Sequence, residues 1–554
     1  MRPANNDVAC LSESSRASEA RPAATLEPKP PASPAATATR TQENDLPRTA
    51  TKARSDERFE IAGTQCYLIG IGGSGMSGLA RMLKARGAIV SGSDSSESDL
   101  TDALARDGIK IGYDQSKGEL PEECRLVIAS AAIKPDHPEW AAAERRGIPV
   151  MLYAEALGRC MIGRTGIAVA GTHGKSTTTA MLGCALTDAR LDPTVIVGAT
   201  SSQLEKGCLA GLGAGSGFRL GGLSIPTGSH SGRPGLLLAE ACEYNRSFHN
   251  YRPLIASISS IEADHLDCYG TLDAVVKSFH EFAQLLPPAS EGGTLLIAHD
   301  GAHRREVTGG LECKVETIGF SPQADWVIGY QPEGRRVTLA RKGTLVAEWT
   351  LRVPGAHNAF NASVAMALAI HAGADASLVA RSLSEFRGID RRMQLLGERP
   401  VGAAGESPSG TVRVYDDYGH HPTEVDTTLR ALREHEHPET RGGRLICVFQ
   451  PHQHSRTRHL LEEFASSFSQ ADVVIVPQIY FVRDSQEEKH KVTAGDLVDR
   501  LRTRGVRAMH LYPFEAIVEQ LENICRAGDV VVVMGAGPVW QVGRDYLRSG
   551  AAGA

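Results

Sequence analysis

Residues 167–186 read IAVAGTHGKSTTTAMLGCAL. Ile167, Ala168 and Val169 form a short, apolar, partly β-branched run, which predicts a buried strand. Gly171 and Gly174 let the backbone turn tightly and come close to a ligand. From Ser176 onward the pattern predicts a helix, whose free N–H groups face the turn. Thr172, His173 and Thr177 complete the phosphate-binding stretch. In such a turn Lys175 reaches the terminal phosphates of a nucleotide, and the Ser176 hydroxyl is placed to ligand Mg2+. The full pattern G-x-x-x-x-G-K-[ST] asks for glycine where Val169 stands, so the motif is the shorter GTHGKS. Strand, turn, lysine and helix in this order predict a P-loop-type α/β domain in the middle of the chain. A glycine turn with a merely exposed lysine fits the threonine-rich helix start less well.

Upstream, residues 66–87 read CYLIGIGGSGMSGLARMLKARG. A strand leads into Gly70, Gly72 and Gly75, with Gly73 and Ser74 inside the turn, and a helix carries Leu79, Met82 and Leu83 on one face. AIVSGSD follows as a second strand ending at Asp94. This is a dinucleotide-type layout: a diphosphate meets the helix N-terminus, and Asp94 is placed to meet a ribose. LVIASAAI predicts a further strand, with Ser130 near its carboxyl end.

Downstream of GTHGKS, GLLLAEACEYNRSF gives a strand followed by Glu240 and Glu243. IASISSIEADHLDCYG gives another, followed by Glu262, Asp264, His265 and Asp267. Acids and a histidine just past strand ends lie where open parallel sheets bind ligands, and oxygen donors suit Mg2+ bridging phosphates. VPGAHNAFNASVAMALAIHAG starts a helix whose first turns carry His357, Asn358 and Asn361, side chains able to read an adenine edge or to cap the helix. A third α/β unit begins near FRGIDRRMQ. In it, VRVYDDYGHHPTEV is a strand, an acidic turn and a helix with Pro422 in its first turn. His420, His421 and the Asp pair offer metal-type donors at a spacing that matches no standard zinc pattern. RLICVFQPHQHSRT, ADVVIVPQIY and DVVVVMGAGPVW add three more strands, predicting a six-strand-type domain without a phosphate-loop lysine.

The 554 residues are too many for one core and suggest about three domains. A net charge of −6 implies no general affinity for nucleic acid or an anionic membrane. Eleven cysteines without a C-x-x-C point to reduced thiols in a cytoplasm. No apolar run is long enough to span a bilayer, so no membrane insertion is expected. Residues 1–58 are rich in Ala, Pro, Ser and Thr with few large apolar side chains, and are expected to be a disordered tail.

GTHGKSTTT, the EADH turn and GAHNAFNA resemble, in order and spacing, the Mur ligases, the ATP-dependent amide-forming enzymes of peptidoglycan synthesis. The resemblance runs over residues 59–547. IGIGGSGMSGLA, DDYGHHPTEV and FQPHQHSRT are most similar to the family's alanine-adding branch. The resemblance implies a Rossmann-like domain at 59–160 for a UDP sugar, a central ATP domain at 161–386 and a Rossmann-like amino-acid domain at 387–548. It implies that Gly70, Gly72 and Gly75 hold the UDP diphosphate and that Lys175 contacts the transferred γ-phosphate. Ser176 and Glu243 would hold one Mg2+ and His265 would help hold a second. His357, Asn358 and Asn361 would bind adenine, and Arg391 would reach the nucleotide from the third domain. Asp416, Tyr418, His420 and Arg456 would lie near the amino-acid site, with Lys175, His265 and Arg456 the catalytic side chains.

The implied reaction joins L-alanine to the carboxylate of UDP-N-acetylmuramate through an acyl phosphate. The chain departs from the family in three places. Cys242, Glu243, Tyr244 and Asn245 stand where Asp-Glu-Ser-Asp is common; His280 stands where sister ligases have a carbamylated lysine; and Gln453 replaces an arginine. The competing readings are a ligase that reattaches recycled tripeptide to the same sugar nucleotide, a nicotinamide-dependent oxidoreductase resting on the first glycine turn alone, and a non-catalytic nucleotide-binding scaffold. Nothing in the sequence fixes an oligomeric state.

Overall fold

The computed structural model describes residues 59–204, 217–401, 410–482 and 484–551, so the expected tail at 1–58 lies outside the described residues. The described chain is an α/β protein of three domains built on three sheets. Gln65–Ile69, the strand of the first glycine turn, is central in a five-stranded sheet, between Ile89–Ser93 and Leu126–Ala129. All pairings in that sheet are parallel. Its neighbours connect in opposite directions, which makes the crevice beyond its carboxyl end a ligand site by topology.

Thr165–Ala170 lies inside a ten-stranded sheet, parallel to Ile255–Ile258 on one side and Leu236–Glu240 on the other. Its residues are wholly buried, as a strand covered on both faces requires. Lys175–Asp188 follows as a helix and packs on the helix Ala356–His371. Trp326–Gln331, Arg336–Arg341 and Thr344–Thr350 extend this sheet as an antiparallel meander at one edge.

The third sheet has six strands. Gly410–Asp417 and Leu445–Phe449 flank Val530–Met534 in parallel, and Gln394–Val401 adds an antiparallel edge. Pro422–Glu436 follows the DDYGHH turn as a helix with Pro422 in its first turn, as the sequence predicts. The carboxyl ends of the second and third sheets carry the loops that meet at the site.

Candidate active site

The GTHGKS turn is squeezed from two sides. Gly171 has φ +130° and Gly174 φ +81°; a Cβ on Gly171 would fall 2.1 Å from Ser259 Oγ, and one on Gly174 2.4 Å from Asn361 Oδ1. Only glycine fits both positions. Lys175 Nζ donates to Gly171 O at 2.6 Å and Thr172 O at 3.0 Å, and lies 2.9 Å from Glu243 Oε2. Burial pulls the Lys175 pKa down, but the Glu243 carboxylate outweighs it and the ammonium is favoured. Ser176 Oγ donates to Glu240 Oε1 at 3.0 Å, and Gly198 N–H donates to the other Glu240 oxygen at 2.8 Å.

The two acids therefore divide the turn. The resemblance implies that Ser176 and Glu243 share one Mg2+; in the structure the Ser176 hydroxyl bonds Glu240, and Glu243 bonds the lysine. The reason is register: Glu240 pairs with Val169 across the parallel strands, so its side chain emerges beside the turn.

A cavity of about 530 Å³ opens over this turn. His173, Gly174, Lys175, Ser176 and Thr177 line it, facing His357, Asn358 and Asn361 of the long helix. Burial, then the nearby Arg392 charge, pushes the His357 pKa down to about 4, so it faces the cavity as a neutral imidazole. The third domain closes the far side with Arg392, Asp417 and Glu424.

Arg391, expected to reach the nucleotide, does not line the cavity. Its guanidinium donates to Asp416 Oδ2 at 3.3 Å and Gly535 O at 2.7 Å, and lies over the Tyr418 ring. Its φ of +59° turns the chain there, and the next residue, Arg392, points to the cavity side and bonds Glu424 at 3.0 Å.

His173 joins two domains. Its Nε2 is 3.4 Å from Glu262 and its Nδ1 is 3.6 Å from Glu424. Burial lowers its pKa, but those two carboxylates outweigh burial and lift it to about 9. Against burial, Glu262 is held below the usual carboxylate range chiefly by His173, and Glu424 by Arg392 first, then His420 and His173.

A second, smaller cleft is lined by Asp264, His265, Gln453 and Arg456. Arg456 donates to Asp264 Oδ1 at 2.8 and 3.1 Å. Burial opposes ionisation of Asp264, but Arg456 overrides it and drives its pKa well down. The arginine expected to hold an amino-acid carboxylate is thus already paired inside the protein. His265 caps a short helix in a left-handed conformation, φ +53°, with its ring against Tyr244.

Tyr418, His420, His452 and Arg456 form a contiguous row: ring centroids are 5.5 and 5.7 Å apart along it, and Arg456 meets His452 Nδ1 at 3.0 Å. Asp416 sits behind the row, buried, reached through Arg391. Gln453 has φ +67° and is buried beside Arg456 in the sequence motif. His280, at the carbamyl-lysine position, bonds Val307 O and Gln284 and belongs to the packing of its helix.

At the first sheet, Gly73 is the cap of the helix Ser74–Ala85, so the helix N–H groups face the Gly70–Gly75 turn. Ser130 follows the neighbouring strand and packs on Gly70. Asp94 does not project outward to a ribose: its Oδ2 accepts the Gly72 N–H at 2.8 Å and its Oδ1 the Ser95 N–H at 2.8 Å.

Arg392 and Glu424 are site residues that the sequence does not single out, whereas Glu240, Glu262 and His421 are among the donors it offers. Glu240 carries a signal, an acid closing an apolar strand beside the P-loop strand. Arg392 and Glu424 face the cavity through an approach between domains that spacing along the chain does not encode.

Fold and site together define a three-domain nucleotide-handling α/β protein, with a phosphate turn facing a third-domain wall. Three family models match it in succession: the Mur ligase family catalytic domain over 65–165, the Mur ligase middle domain over 235–369, and the Mur ligase glutamate ligase domain over 391–537. The chain is similar to UDP-N-acetylmuramate–L-alanine ligases of Agathobacter rectalis, 38% identical over 87% of this chain and 97% of that protein, and of Kineococcus radiotolerans, 39% identical over 87% and 95%. Among solved structures it resembles the UDP-N-acetylmuramate-alanine ligase of Thermotoga maritima, with TM-score 0.68 and 24% identity over 88% of this chain and all of that one. The chain belongs to the Mur ligase family.

Proposed function

We propose that this chain joins L-alanine to the carboxylate of UDP-N-acetylmuramate, with ATP cleaved to ADP and phosphate, as a step of peptidoglycan precursor synthesis in the cytoplasm. The observation that carries the reading is Lys175, held by Glu243 on a glycine turn and facing a cavity that Asn358 and Asn361 also line. The relatives named above carry that activity in their names.

A carboxylate oxygen of the sugar nucleotide attacks the γ-phosphorus and ADP leaves. The amine of L-alanine then attacks the acyl-phosphate carbonyl, phosphate leaves, and the amine proton is lost. Lys175 neutralises charge on the moving phosphoryl group, the term through which protein electrostatics accelerates such transfers most. Ser176, Glu240 and Glu243 present the hard oxygen donors that Mg2+ prefers, and His265, in the second cleft with its ring on Tyr244, is the donor for a second ion. Bound there, Mg2+ supplies further charge neutralisation to the phosphates. Arg456 orients the amino-acid carboxylate, exchanging part of its bond to Asp264 for it.

The ranges 59–160, 161–386 and 387–548 serve the sugar nucleotide, ATP and the amino acid respectively. Each range encloses one of the three sheets. The described cysteines are free thiols, and no helix among the described residues is long and apolar enough to cross a membrane. Phosphate release from ATP and UDP-N-acetylmuramate, with and without L-alanine, tests the reading, with the product weighed by mass spectrometry. Release that depends on L-alanine is expected. Release that depends instead on a tripeptide would move the assignment to the recycling ligase.

A further inference from the structure

His173, Glu262 and His421 come from three separate segments: the phosphate turn, the loop after Ile255–Ile258, and the N-cap of the helix Pro422–Glu436. One donor atom of each lies within 4.8 Å of the other two. His173 Nε2 and His421 Nδ1 are 3.4 and 3.8 Å from the same oxygen, Glu262 Oε2. The two imidazole rings face each other with centroids 4.8 Å apart.

A tetrahedral Zn2+ with bonds of about 2.0–2.1 Å sets its ligand atoms about 3.3 Å apart. The imidazole nitrogens stand 3.4 and 3.8 Å from the shared oxygen, and the donor atoms of the two rings, within 4.8 Å of each other, must close by up to about 1.5 Å to reach that. Two imidazoles and one carboxylate are also the donor types such an ion selects over Mg2+.

A second observation points the same way. His421 is nine-tenths buried, and its Nδ1, the nitrogen facing Glu262, accepts the Thr423 N–H at a long 3.3 Å. Neither His173 ring nitrogen makes a hydrogen bond of normal geometry; both stand at ion-pair distance from carboxylates, and a dication binding at Nε2 would displace the proton held there in the metal-free protein. Buried polar atoms left this way are uncommon and call for an explanation.

The carboxylate is also oriented in advance. Thr423 Oγ1 donates to Glu262 Oε2 at 2.6 Å, and the Glu262 N–H donates to Thr172 Oγ1 at 2.9 Å. Outer partners of this kind fix a metal ligand's direction. An ion here would take over His421 Nδ1 from the Thr423 N–H, a long bond of 3.3 Å.

We propose that His173, Glu262 and His421 form a binding site for a Zn2+-class transition-metal dication that ties the phosphate turn to the third domain. Its donors are different side chains from the oxygen set around Ser176, on the same turn. The ion would lie at the wall of the large cavity, since His173 and Glu262 both line it.

Co2+ titrated into the full chain without nucleotide, followed by visible absorption, tests this. One Co2+ per chain should give the intense bands of a tetrahedral site, and Zn2+, which binds more tightly, should displace it. Glu262→Gln and His421→Ala should each weaken Co2+ binding by about tenfold or more. The double variant Glu243→Gln/His265→Ala should keep the bands. Folding of each variant is checked by circular dichroism, and the isosteric Glu262→Gln decides if His421→Ala is unfolded. The absence of such bands would overturn the proposal. So would their survival in Glu262→Gln, or their loss in the double variant, which would place the ion among the oxygen donors.

Discussion

After Gln65–Ile69 the chain turns through Gly70 and Gly75 into a helix; after Thr165–Ala170 it turns through Gly171 and Gly174 into another. The two turns share strand, glycines and exposed helix N–H groups, and differ in charge. At the first, the acid at the end of the next strand, Asp94, folds back onto the Gly72 N–H. At the second, Lys175 supplies a cation and the neighbouring acids Glu240 and Glu243 are set on its hydroxyl and ammonium. A turn that only cradles a diphosphate needs N–H groups. A turn that moves a phosphoryl group also needs mobile positive charge and donors for a cation. The backbone alone does not separate the two roles; the side chains one strand away do.

The largest effect expected from breaking this contrast is that of Lys175→Ala. Steady-state kinetics should show kcat lower by on the order of a thousandfold, the scale of losing one cationic group at a phosphoryl transition state. Near-normal kcat would remove the distinction between the turns.

Next is Arg456→Ala. A charged hydrogen bond of about 1.5–3 kcal/mol is at stake, so the KM for L-alanine should rise roughly tenfold or more while that for ATP changes little. The same change strands the buried Asp264 carboxylate and should lower the melting temperature. Adding Asp264→Asn should restore stability but not KM; recovery of both would make Arg456 a purely structural residue.

Smaller again is the difference between Glu240→Gln and Glu243→Gln. Both should raise the Mg2+ concentration for half-maximal rate by about tenfold, as loss of one oxygen ligand does. Only Glu243→Gln should also lower kcat at saturating Mg2+, because only Glu243 holds Lys175. Identical titrations and rates would erase the division between the two acids.

The smallest effect concerns His173. Its charged form is favoured in the folded state, with a pKa near 9 against the ordinary 6.5. Its contribution to stability is therefore complete below pH 6.5 and disappears as pH rises through about 9. Thermal melts should show the wild type above His173→Gln by a few degrees at pH 6, the order of a kcal/mol-scale change, with the two converging above pH 9. A gap that widens toward alkaline pH would contradict the ion-pair account.

Much of the architecture is legible in the sequence because each sheet is announced by a glycine or acidic turn after an apolar strand. GTHGKS, GIGGSG and DDYGHH each mark the carboxyl end of a strand, and each is found there. The antiparallel meander of residues 326–350 is not announced: its strands are half exposed and carry mixed residues. At the site, Lys175, Ser176, His357, Asn358 and Asn361, which local motifs single out, line one cavity. What fails is direction. Arg391 and Arg392 are neighbours in sequence, and only the positive φ at Arg391 decides which one faces the cavity. Asp94 is at the expected strand end, but its carboxylate is engaged by the Gly72 and Ser95 N–H groups. His173 and His421 are 248 positions apart and meet only because two domains close on each other.

The division of labour between the two turns is tested most directly by equilibrium binding to Lys175→Ala. Titration calorimetry with UDP-N-acetylmuramate, and separately with ATP and Mg2+, reads each turn on its own in a variant that no longer turns over. The account predicts a wild-type Kd for the sugar nucleotide and a weakened one for ATP. Loss of sugar-nucleotide binding with ATP binding intact would contradict it, by placing the sugar diphosphate on the GTHGKS turn.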